Sequence, residues 1–134
     1  MADTIREDFE RIAALARLKL EQVEINQEID SDRAILTIQG QFSLYRIVLK
    51  ETISAKGRRY AYYILADNRV MLGFDNHADR QALRLKYGDD YINHLTDLIP
   101  HQHSAHKASL ILTPSWKAEQ FLNKLDQLIA ESEQ

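Results

Sequence analysis

The chain has 134 residues, 45% of them hydrophobic, with no cysteine and a formal net charge of −3; this length and apolar share suit one domain, residues 1–134, built on one core. The missing cysteine excludes a disulfide framework, a thiolate metal site and a cysteine nucleophile, and points to the cytoplasm. No stretch has the uninterrupted apolar length of a membrane span or a secretory signal, so no membrane partner is expected.

The net charge averages over a gradient. Residues 1–32 carry net −5, residues 33–107 net +4 and residues 108–134 net −2. A basic middle between acidic ends can attract a phosphate backbone locally, although a mixed solvated surface is the commoner result of such a bias.

The first predicted element is a helix of about five turns. Thr4 and Glu7 have capping-box spacing, and Ile5, Phe9, Ile12, Ala13, Ala16 and Leu20 recur at three and four. The opposite face is acidic, which disfavours a membrane surface and favours packing on the protein's own sheet. An extended segment follows from Leu20 to Ile29.

After Asp30-Ser31-Asp32 the pattern becomes that of strands: residues 34–38, ended at Gly40; residues 42–53; residues 59–65; and residues 70–74. Short connections, including Asp67-Asn68, predict antiparallel hairpins and a four-stranded meander over residues 34–74. Glu51 interrupts an apolar strand and is either a general base of raised pKa or a solvent-facing glutamate. Arg58 and Arg59 beside Tyr60, Tyr62 and Tyr63 read either as a phosphate-contacting, base-stacking surface or as cross-strand packing with exposed arginines.

Residues 78–87 are predicted helical, stopping at Gly88, and a second short helix over residues 91–99 would be capped by Asp89 or Asp90 and ended by Pro100. A last strand over residues 108–112 leads to a C-terminal helix capped by Thr113 or Ser115, with Trp116, Phe121, Leu122, Leu125, Leu128 and Ile129 as its stripe. The fold class is therefore α+β: an antiparallel meander of about four to six strands, flanked by N- and C-terminal helices, with a helical insertion at about 78–99.

All five histidines lie between positions 77 and 106. His101 and His103 alternate, so in extended structure they share a side. Imidazoles titrate near neutrality, and two on one patch can divide acid and base roles in cleaving RNA. Asp75 could orient an imidazole, His77 is a further catalytic candidate, and Asn76, Arg58, Arg59 and Lys107 could hold phosphate. This chemistry needs no metal or other cofactor. If a metal were present, His101, His103 and His106 would be its ligands, though their spacing matches no strong zinc signature.

Gly73-Phe74-Asp75-Asn76 and Pro100-His101-Gln102-His103, together with the strand order before them, resemble the TumE-like toxins of prokaryotic toxin–antitoxin modules over about residues 30 to 115. The chain departs from that pattern in having His77-Ala78-Asp79-Arg80 after the first phrase and in the long insertion before the second. The resemblance implies a growth-inhibiting toxin acting on RNA, held inactive by a helix-turn-helix antitoxin. The expected function is a metal-independent endoribonuclease with a histidine acid/base pair. The alternative is a non-catalytic binding or regulatory module, metal-binding through its histidines.

Overall fold

The computed structural model describes residues 2–104 and 110–133. Its centre is one seven-stranded antiparallel sheet in which every strand pairs with the strand before it, in the order β1 to β7. The strands are β1 (Glu21–Ile29), β2 (Arg33–Phe42), β3 (Tyr45–Ser54), β4 (Gly57–Ala66), β5 (Arg69–Asp75), β6 (His101–Ser104) and β7 (Leu110–Leu112). The helices are α1 (Ala2–Lys19), α2 (Arg80–Tyr87), α3 (Ala118–Asn123) and α4 (Leu125–Ser132), with a 3-10 helix at Gly88–His94. This is the expected α+β meander, with more strands than expected because both the segment after Leu20 and the histidine phrase join the sheet.

Turn chemistry explains the tight connections. The Asp30 carboxylate accepts from the backbone N–H of Asp32 and Arg33, closing the β1–β2 turn. Asp67 and Asn68 both have positive φ, the pairing that a two-residue hairpin requires and that this residue pair tolerates. Gly40 does not end its strand. A Cβ there would lie 2.9 Å from the Leu20 side chain, so the glycine admits the end of α1 onto the sheet. The 42–53 strand is correspondingly two elements, because Ser43 turns at φ 56° and leaves Leu44 exposed.

Alternation sorts the strands into two faces. The inner face carries Leu36, Ile38, Ile47, Leu49, Tyr60, Tyr62, Ile64 and Phe74, all buried with Phe9, Ile12 and Ala16 of α1 and Phe121, Leu125 and Ile129 of the C-terminal helices. Each such apolar side chain contributes about 1.5–3 kcal/mol. Tyr60 and Tyr62 stack on each other within this core, with centroids 4.9 Å apart, and are therefore not a base-stacking surface.

Helix ends differ from expectation in four places. Thr4 lies inside α1, so the capping box is not formed. The second inserted helix is the 3-10 turn, in which His94 bridges Asp90 and Asp97 and stacks on Tyr87. Trp116 precedes α3, whose N-cap is Lys117, because its ring stacks on Phe74 at 4.2 Å. α2 stops at Gly88 as expected, but it begins at Arg80 and not at residue 78, because Asp79 caps its start. Ala82 and Leu83 of α2 pack with Ile99 and Leu110 in a second small core. No described helix is long and apolar enough to cross a membrane.

Candidate functional site: a carboxylate between two imidazoles

Backbone pairing builds the site. The N–H of Ile99 donates to the Asn76 carbonyl at 2.9 Å, which brings the chain back from the insertion in register with β5. β6 then pairs His101 with Asp75 and His103 with Gly73. Directly paired residues share a face, so Asp75, His101 and His103 stand together on the outer face. Gln102, between the histidines, faces the other way.

Asp75 is the hub. Its Oδ1 lies 3.2 Å from His101 Nε2 and accepts from the His77 backbone N–H at 3.0 Å. Its Oδ2 lies 3.4 Å from His103 Nε2 and accepts from the Tyr63 hydroxyl at 3.0 Å. His101 Nδ1 faces the Ile99 carbonyl at 2.6 Å, and a carbonyl can only accept, so that nitrogen carries a proton. Nε2 faces a carboxylate and is protonated too. The geometry thus describes a buried imidazolium–carboxylate pair.

The electrostatics agree. Burial pushes the Asp75 carboxyl up, but the hydrogen bond and charge of His101, with the His77 and Tyr63 donors, bring it down to about 2. Burial opposes charge on His101, and Asp75 and the Ile99 carbonyl outweigh it and raise the imidazolium above its usual range. Burial is also the first cause holding His77 below its ordinary value, with Arg59, His101 and Lys50 adding repulsion against Asp75's attraction. Burial and the Asp75 charge raise the Tyr63 hydroxyl.

These directions give a pH dependence. Asp75 is depressed from 3.8, so its stabilisation is present above that value and is lost as pH falls towards about 2. His101 is raised from 6.5, so its share is complete below 6.5 and is lost as pH rises through its folded value. Both limbs describe one interaction and are not additive. Urea unfolding of the wild type and Asp75→Asn across pH should show their largest difference between 3.8 and 6.5, with about 2 kcal/mol lost on the acid side. A pH-independent difference would contradict the ion pair.

Gly73 seats Tyr63. The two are direct cross-strand partners, and a Cβ at Gly73 would lie 2.4 Å from Tyr63 Cδ1 and 2.5 Å from Cε1. The ring covers the glycine and so points its hydroxyl at Asp75. Gly73→Ala should cost about 1–3 kcal/mol by overpacking, whereas Tyr63→Phe should cost about 1 kcal/mol for one hydrogen bond. Equal unfolding midpoints for Gly73→Ala and wild type would refute this seating.

The expected site residues divide between the two faces. Asp75, His101 and His103 come together as read, but the two histidines are not equivalent: His101 is 1% exposed with both nitrogens engaged, and His103 is 36% exposed at its side chain. Arg59 and His77 flank the outer face. Arg58 is on the inner face, where it forks onto Glu51 at 2.9 and 3.1 Å and donates to Tyr62 and the Trp116 carbonyl. It is thereby removed from phosphate beside the histidines. Asn76 is 6% exposed; its Oδ1 accepts from Tyr60 N–H and its Nδ2 donates to the Arg58 carbonyl, so it clamps β4 instead of reaching a ligand. His106 and Lys107 lie outside the described residues.

Glu51 is buried on the inner face, accepting from Arg58 and Tyr62, so neither the solvent-facing nor the general-base reading describes its place. Burial and the Glu51 charge raise the Tyr62 hydroxyl, while Arg58 opposes them. Tyr63 and Lys50 were not singled out for the outer face. Lys50 was legible, since it alternates with Leu49 and Glu51 on its strand. Tyr63 was not, because its role depends on the register opposite Gly73.

Asp75, His101 and His103 offer one nitrogen or oxygen each within 4.8 Å of one another, close enough to converge on one divalent ion, and they are the group of this kind found among the described residues. A larger cavity of about 500 Å³ opens elsewhere, between Met71, Phe74, Gln102, Trp116 and α4, and is lined by none of the three. Searches of protein-family models, of curated proteins and of solved structures each find no match to the chain.

Proposed function

We propose that the chain is an endoribonuclease toxin of the TumE-like kind, acting in the cytoplasm and restrained by a helix-turn-helix antitoxin. The observation that carries the catalytic part is the Asp75 carboxylate held between a buried imidazolium and a solvent-reached imidazole on an open sheet face. His101 positions Asp75 and neutralises it. His103 is the member of the trio that a substrate can touch.

His77, held below its ordinary pKa chiefly by burial, is neutral near pH 7 and suits the base. It takes the proton from a ribose 2′-hydroxyl as O2′ bonds to phosphorus; the P–O5′ bond breaks, and O5′ takes a proton from His103. The products are a 2′,3′-cyclic phosphate and a free 5′-hydroxyl. Oriented groups and charge stabilisation suffice for this step.

The test is purified protein with a single-stranded RNA in the presence of EDTA, with product ends identified. Cyclic phosphate and 5′-hydroxyl ends, and growth arrest on expression relieved by a neighbouring helix-turn-helix gene, support the proposal. Intact RNA and harmless expression would sink it.

A second reading rests on the convergence of Asp75, His101 and His103 within 4.8 Å. It makes the chain a divalent-ion binding module without catalysis. Calorimetric titration with zinc separates the two: stoichiometric binding abolished by His103→Ala, with RNA intact, selects the module.

A further inference from the structure

Beside His77 the outer face holds a pocket whose other polar groups take no part in proton transfer. Lys50, Ala61, Asp75 and His101 form one row across β3 to β6, and Thr52 pairs with Arg59 in the next row. Ala61 fills little of its place between Lys50 and Asp75. The gap is a pocket of about 90 Å³ lined by Lys50, Thr52, Arg59, Ala61 and His77, together with Tyr60.

Its charge is unbalanced. Asp75 is neutralised by His101, which leaves the Lys50 ammonium and the Arg59 guanidinium as the net charge at the mouth. Both line the same pocket as His77. A guanidinium fork, an ammonium and the Thr52 hydroxyl around a small hollow suit the three outer oxygens of a phosphate better than a planar carboxylate. At about 4.8 Å between strands, Lys50 and Asp75 stand roughly 10 Å apart across the row, the scale of neighbouring groups on one nucleic-acid strand.

We infer that the Lys50–Thr52–Arg59–His77 pocket binds a backbone phosphate of single-stranded RNA, so that the strand runs along the row from Lys50 towards Asp75 and His103. The inference rests on the ribonuclease reading for its substrate and adds the subsite, the direction of the strand and Lys50 as a binding residue.

The experiment uses a 2′-O-methyl RNA hexamer, which binds without being cut, and inorganic phosphate, each titrated into the full chain by calorimetry and by backbone amide NMR. Lys50→Gln/Arg59→Gln should weaken hexamer binding at least about tenfold and reduce the salt slope by about 0.7, the value for one phosphate contact on a single strand. Phosphate should shift the amides of Thr52, Ala61 and His77 in the wild type and not in the double variant. Arg46→Gln, which removes one charge from the same face of β3 further along, should bind within about twofold of wild type. Both replaced side chains are exposed, so the double variant should keep its unfolding midpoint; each single variant should give an intermediate affinity.

Equal hexamer affinity in wild type and double variant, no hexamer binding at all, or phosphate shifts elsewhere would each overturn the subsite. Binding through the pocket without any cleavage of ordinary RNA would keep the subsite and remove the ribonuclease reading. Cleavage whose KM ignores Lys50 and Arg59 would do the reverse.

Discussion

Glu51→Ala should lower the unfolding free energy by about 3–5 kcal/mol, because it leaves the Arg58 guanidinium and the Tyr62 hydroxyl without their shared acceptor. Glu51 is 3% exposed, at the crossing of the central strands with the segment that leads into α3. Burial opposes charge on Arg58, and the Glu51 carboxylate more than offsets it, holding the guanidinium above its ordinary pKa. Arg58 also lies over the Tyr60 ring at 4.6 Å and bonds the Trp116 carbonyl at 2.7 Å, while Tyr60's hydroxyl accepts from the Trp116 N–H. Loss of Glu51 should therefore loosen the C-terminal helices before the sheet, read as earlier loss of the Trp116 fluorescence signal than of the far-UV signal in urea. Glu51→Leu/Arg58→Met should recover much of the loss, since a buried pair replaced by apolar groups is close to neutral. A cost below about 1 kcal/mol for Glu51→Ala, the range of an exposed pair, would refute a buried anchoring role.

His103→Ala should reduce RNA cleavage by about 10²–10⁴-fold, the usual worth of one positioned acid or base, while the unfolding free energy changes by less than about 1 kcal/mol, as for an exposed pair. His101→Ala should differ in kind. It removes the buried partner of Asp75 and leaves a desolvated carboxylate, so stability should fall by about 3 kcal/mol or more. The contrast separates a group that touches substrate from one that positions Asp75. In the wild type the rate should rise with pH through a value below 6.5 as His77 loses its proton, and His77→Ala should abolish that limb. Cleavage unaffected by His103→Ala would place the chemistry elsewhere.

The elements with strong local signals were legible in the sequence. The stripe of α1, the hairpin at Asp67-Asn68, the stop at Gly88 and the shared face of His101 and His103 follow from side-chain period and turn chemistry, which act over a few residues. Boundaries that depended on distant partners were not. Thr4 did not cap α1, Gly40 did not end β2, and Trp116 stayed outside α3 because Phe74, 42 positions earlier, offered its ring a better place.

The amino-acid sequence by itself determined that this is an α+β chain with an antiparallel meander, a helical insertion and histidines gathered late in the chain. It also put Asp75 and the pair His101 and His103 in the same expected neighbourhood. Only the tertiary structure decided which polar groups share a face. Neighbours in sequence on a strand point to opposite sides, so Arg58 went to the core with Glu51 and Arg59 to the open face with Lys50, and register alone set Asp75 against His101 and Gly73 beneath Tyr63. The register of β6 on β5 is a long-range quantity, set beside the backbone bond from Ile99 to Asn76 across the insertion, and no local pattern carries it.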